Sequence, residues 1–213
     1  MTSEEAYITL TSLFQELRHH NSFAQLDNLI VREGLSNEVK AFYTKYPQFT
    51  FTITAQEVQE LKAEKIFNDD HKLNLLNFQG TTLEKLLIAT LWKNGDLNKM
   101  AHILDGVLSI EKDRSKHALI FKQFGKSLSD TSEPIVDQHV LRAFEIATLN
   151  GFSEIVVDTL RKKGVYKSTD QPILDRYKEW FTGILRQIPK VEHTKYKENL
   201  DKVLFIRGKS VKI

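Results

Sequence analysis

Apolar residues return every three or four positions along almost the whole chain, and this helical period constrains the fold more than any other feature. In SEEAYITLTSLFQELRHH, residues 3–20, the side chains of Ile8, Leu10, Leu13, Phe14 and Leu17 fall largely on one face. Such a stripe docks an amphipathic helix on a core. Ser3 precedes Glu4 and Glu5 and reads as its N-cap, with acidic residues in the first turn. SFAQLDNLIVREG reads as a second helix that stops at Gly34, and SNEVKAFYTKY as a third that stops before Pro47. TAQEVQELKAEKIF follows, with Thr54 as its cap. Further helical stretches lie at 81–92, 96–104, 115–128, 137–149, 152–164, 170–188 and 194–209. The only strand-like alternation is FTFTIT, residues 49–54, too short and solitary to found a sheet. Four prolines and nine glycines leave few breaks. The chain therefore reads as all-α, with about ten helices.

Composition narrows the class. Hydrophobic residues make up 41% and charged residues 27%, the balance of an ordinary globular protein. No apolar run approaches the length of a membrane span, and MTSEEAYITL lacks a basic region followed by an apolar core. The expectation is a cytoplasmic protein without membrane attachment. The absence of cysteine excludes disulfides, thiolate zinc sites and cysteine-held iron–sulfur clusters. The net charge of +2 conceals an asymmetry: residues 161–213 hold 14 Lys and Arg against 6 Asp and Glu. A basic C-terminal quarter suits a polyanion, nucleic acid first, or simply solvates exposed helix faces.

Most familiar catalytic signatures are missing. There is no glycine-rich phosphate loop, no GxSxG and no HExxH. His19 and His20 are adjacent and point to different sides of a helix, a poor metal pair. No metal and no cofactor is expected.

One stretch invites chemistry. SEPIVDQHVLRAF, residues 132–144, places Asp137 between a proline-containing loop and an amphipathic run carrying His139 and Arg142. Asp137 reads equally as a helix cap and as a carboxylate set at a helix mouth. Arg142 suits either a phosphate or an acidic neighbour inside the fold, and His139 suits solvent or Glu133.

Taken in order, four segments resemble the helix-hairpin-helix, endonuclease III-like DNA glycosylases. TLEKLLIATLWKNGDLNK is similar to the buried helix and polar turn that open that family's catalytic region. SKHALIFKQFG resembles the second helix of the hairpin motif, and PIVDQHVLRAF the stretch that carries the catalytic aspartate. LDKVLFIRGKSVK resembles the closing helix, where an apolar triplet precedes a glycine and a basic residue. The hairpin itself departs from the family: ILDGVLSIEKDR has one glycine, Gly106, and no proline.

The resemblance implies two helical lobes around a central cleft. Residues 1–79 and 150–213 would form one lobe, and 80–149 the other, with a degenerate hairpin. It implies a monomer acting on double-stranded DNA that carries a damaged or modified base, with or without an abasic-site lyase step. Asp137 would be the catalytic carboxylate, and Lys116 the amine that forms a Schiff base with the sugar. Trp92, Asn94, His139 and Arg142 would contact DNA or the extruded base. The competing class is a catalytically inactive helical module that binds DNA or protein, and a coincidental match in an unrelated helical domain is a further alternative.

Overall fold

The computed structural model describes residues 1–46, 51–75, 78–110 and 118–213. Among them are eleven α-helices and no strand; one isolated antiparallel bridge joins Phe67 to Leu73. In chain order the helices are α1 (Ser3–Leu17), α2 (Phe23–Arg32), α3 (Ser36–Lys45), α4 (Ala55–Ala63), α5 (Thr82–Lys93) and α6 (Leu97–Val107). They continue with α7 (Leu119–Ser129), α8 (Gln138–Ala147), α9 (Glu154–Lys162), α10 (Gln171–Leu185) and α11 (His193–Ser210). Of FTFTIT, residues 49 and 50 lie outside the described residues. The remainder leads into α4 without forming a strand, and Ile53 donates its N–H to the Leu128 carbonyl at 3.0 Å.

Local chemistry sets the helix starts. Thr2, Thr54 and Thr81 each accept the N–H of a glutamate three residues on, and that glutamate accepts the threonine's own N–H. This reciprocal capping box satisfies two orphan donors at once. The cap of α1 is thus Thr2 and not Ser3, because Glu5 stands three residues after Thr2. Ser3 turns inward, where its hydroxyl bonds Asp158 and accepts from Arg161 at 2.9 Å.

The chain divides into two units, Met1–Phe49 with Val136–Ile213, and Thr50–Ile135. By this division α4 belongs to the central segment and α8 to the terminal one, whereas the resemblance drew the boundaries at 79/80 and 149/150. The reason is packing: α8 buries Val140, Leu141, Ala143, Phe144 and Ile146 among α1, α10 and α11. Phe14 of α1 stacks within 4.7 Å of Trp180, and Phe144 lies 5.5 Å from Tyr177 across α10. Arg161 on α9 ties this unit further, donating to Val211 O at 2.7 Å and Met1 O at 2.8 Å.

The central unit has its own core, Val58, Phe67, Leu104 and Val107, with Leu61, Leu73 and Met100 packed against it. His71 and Asp105 form a fully buried pair there, Nδ1 to Oδ1 at 2.7 Å. α6 and α7 approach each other at Gly106 and Gly125. A β-carbon on Gly106 would collide with the Lys122 carbonyl oxygen, and one on Gly125 with that of Ile103.

α5 corrects an expectation. The resemblance made 81–92 a buried helix, yet α5 has no buried residue, and Leu83, Leu86 and Trp92 are 66%, 62% and 67% exposed. Burial requires a neighbour on each face, and among the described residues α5 packs mainly on α6.

Candidate carboxylate site at the mouth of α8

Val136 is buried and anchors the chain entering α8, which leaves Asp137 at the N-cap, half-buried and with extended backbone. One of its oxygens, Oδ1, accepts both helix-mouth donors: the N–H of His139 at 2.6 Å and that of Val140 at 3.1 Å. Among the described residues the other, Oδ2, accepts no hydrogen bond, and it is not among the fully buried atoms. Burial raises the Asp137 pKa above the usual carboxylate value, while the two backbone donors, His139 and Arg142 oppose the rise. The two readings of Asp137 are thus compatible, with one oxygen capping and one available.

Behind Asp137, Arg142 is 0% exposed. Its guanidinium donates to Gly208 O at 3.1 Å and to Lys163 O at 2.6 Å, fastening α8 to α11 and to the end of α9. That burial leaves it no surface on which to meet a phosphate. His139 lies with Nδ1 2.7 Å from an Arg142 nitrogen. A guanidinium only donates, so Nδ1 accepts and the imidazole is neutral with its proton on Nε2. Burial, the largest cause, lowers its pKa in agreement. The ring meets Phe205 edge-on at 5.0 Å. Gly208 is required where it stands, since a β-carbon would strike the carbonyl oxygen of His139.

The other candidates lie elsewhere. Trp92 and Asn94 close α5 in the central unit, both exposed, with Asn94 as C-cap donating its N–H to Thr90 O at 3.1 Å. Lys116 lies outside the described residues. The structure therefore groups Asp137, His139 and Arg142 on α8.

It adds two residues that sequence reasoning passed over. Tyr177 on α10 is buried with an unpartnered hydroxyl, and Asp201 on α11 has a buried, unpartnered Oδ1. Burial pushes the Asp201 carboxyl up to about 8 and the Tyr177 phenol well above its usual value, and Asp137 contributes to both shifts. The available signal was that Asp201 shares a helical stripe with Leu204 and Gly208, three and seven residues on.

Among the described residues no cluster of three or more His, Cys, Asp or Glu side chains is arranged to hold a metal ion, and no helix is long and apolar enough to cross a membrane. Comparison with family models, with curated proteins and with solved structures finds no match to this chain.

Proposed function

We propose that the chain is a DNA glycosylase of the helix-hairpin-helix kind, with Asp137 as its catalytic carboxylate. The observation that carries the reading is the division of labour between the two Asp137 oxygens: Oδ1 holds the helix mouth and Oδ2 is free. Breaking an N-glycosidic bond builds positive charge on the sugar as the base leaves. A fixed carboxylate oxygen beside that carbon stabilises the cation or activates the water that captures it. The cap serves this role by fixing the carboxylate before substrate arrives.

In this reading Lys116 supplies an amine for Schiff-base formation and strand cleavage. The same reading has Trp92, exposed at the end of α5, stack on or wedge into the duplex as the target nucleotide is extruded. The partner is double-stranded DNA, and the basic C-terminal quarter supplies phosphate contacts.

A specific observation favours the inactive-module reading. Gly106, the single glycine of the hairpin segment, is turned against α7, whereas the family's hairpin glycines let backbone N–H groups approach a phosphate. The two readings separate in one assay. Oligonucleotides bearing abasic sites, oxidised purines or alkylated bases are incubated with the protein, followed by borohydride trapping. An active enzyme releases base from at least one, and Asp137→Asn lowers that rate by about 100-fold or more. Lys116→Gln abolishes the trapped adduct. No release from any substrate, with DNA binding that weakens steeply as salt rises, leaves the module.

A further inference from the structure

Within the terminal unit a row of aromatic rings runs from the mouth of α8 to the end of α3. His139 meets Phe205 of α11 at 5.0 Å, Phe205 meets Phe42 of α3 edge-on at 4.9 Å, and Phe42 meets Tyr46 at 4.8 Å. Tyr46 also lies 6.4 Å from Phe205. The row starts at the carboxylate site, because the His139 N–H is one of the two donors that hold Asp137 Oδ1. It is a surface feature: Tyr46 is 48% exposed, and Phe42, Phe205 and His139 are half-buried. Helical period brings the rings together. Phe42 and Tyr46, the C-cap of α3, are four positions apart on one face, and Phe205 packs edge-on against Phe42. Packing α3 on α11 requires apolar side chains at 42 and 205, but it does not require an exposed ring at 46.

Cations attend the rings. The Lys45 ammonium lies over Tyr46, 5.3 Å from the ring centroid, and Lys202 lies over Tyr43, the residue after Phe42, at 3.4 Å. On α11 the exposed Lys209 follows Phe205 by one turn, on the same stripe. The carboxylates of the two stripes, Glu38 and Asp201, stand one turn before Phe42 and Phe205. Partly exposed π-faces interleaved with ammonium groups match a nucleic-acid strand: unpaired bases stack on the rings while lysines meet the phosphates between them. A second copy of the chain fits less well. An isologous contact on this row sets the cationic rim of one copy, Lys45 and Lys209, against that of the other.

We propose that Tyr46, Phe42, Phe205 and His139 form a stacking surface for unpaired nucleobases of a DNA strand, with Lys45 and Lys209 on its phosphates. This rests on the reading of DNA as the partner and deepens it, since the row holds bases out of the duplex stack next to Asp137. Fluorescence anisotropy of a labelled single-stranded oligodeoxythymidylate, titrated with the full chain, tests it. The wild type binds, and Tyr46→Ala weakens that binding by about 5- to 100-fold, the range for losing one stacked base. Tyr46→Phe keeps the π-face and stays within about twofold of the wild type. Lys45→Gln weakens binding and lowers the salt slope by about one. Binding to a fully paired duplex of the same length changes less than about twofold in Tyr46→Ala, because paired bases keep their own stack. Tyr46 is exposed, so both of its variants melt close to the wild type.

Single-strand binding that ignores Tyr46→Ala, or that falls as far in Tyr46→Phe, overturns the proposal. A wild type that binds no oligodeoxythymidylate overturns it as well. A wild type that sediments as a dimer, with Tyr46→Ala a monomer, assigns the row to a second copy and has the same effect. Base release is an independent arm. Ring-dependent binding without base release defeats the glycosylase reading alone, whereas base release with binding indifferent to Tyr46 defeats the stacking surface alone.

Discussion

Asp137 and Arg142 are five positions apart and do different work. Asparagine caps a helix nearly as well as aspartate, so Asp137→Asn changes stability by only a few tenths of a kcal/mol, while Asp137→Ala costs about 1 kcal/mol. Urea unfolding of the two variants checks this, and a large loss in the asparagine variant would mean that Asp137 carries a charge the fold itself requires. Arg142 has no such tolerance. Its fork bridges the Gly208 and Lys163 carbonyls from a fully buried position, and a lysine there reaches at most one of them. Arg142→Lys should therefore cost about 2–4 kcal/mol, the loss expected for leaving buried polar groups unsatisfied. A cost below about 0.5 kcal/mol would show that the guanidinium is dispensable to the fold.

At the scale of helices, two contrasts carry the argument. Replacing glycine by alanine inside an exposed helix ordinarily stabilises by about 1 kcal/mol. At Gly208 the sign reverses, because the added methyl meets the His139 carbonyl and must push α11 away from α8. Gly208→Ala is expected to lower Tm, whereas Gly183→Ala, with open space around it, should raise it or leave it unchanged. α5 supplies the second contrast. Leu86→Lys, on an exposed face, should change stability by less than about 0.5 kcal/mol. Leu104→Ala, in the core of the same unit, should cost about 2–4 kcal/mol. Equal costs for the two would restore the buried helix that the family resemblance implied.

For the molecule as a whole, the buried titratable groups shape stability against pH. Asp201 binds its proton more tightly folded than unfolded, its pKa being raised from 3.8 to about 8. The native state therefore holds an extra proton between those values, and stability falls as pH rises through them. His20, lowered from 6.5 chiefly by burial, acts in the opposite sense. The unfolded chain binds its proton first as pH drops below 6.5, so stability is lost on acidification. Between pH 6.5 and 8 the Asp201 slope stands clear of His20. Thermal melts across that window should show Tm declining in the wild type and a flatter line in Asp201→Asn.

The sequence by itself determined the secondary structure, because a helix is a local object. Its period, its caps at Thr54 and Asp137 and its stops at Gly34 and before Pro47 are all written within a few residues of where they act. The all-α class and the N-cap role of Asp137 were legible for that reason. Which helices meet was not written locally. Nothing near Arg142 announces that its partners are carbonyls 66 and 21 residues away. Nothing in the apolar run of α5 says that it will stay uncovered. Asp201 and Tyr177 likewise look like ordinary helix residues until the packing of α10 and α11 buries the Tyr177 hydroxyl and Asp201 Oδ1. Burial, and with it the free energy of holding a charge, depends on neighbours brought from distant parts of the chain, and only the tertiary structure decides those.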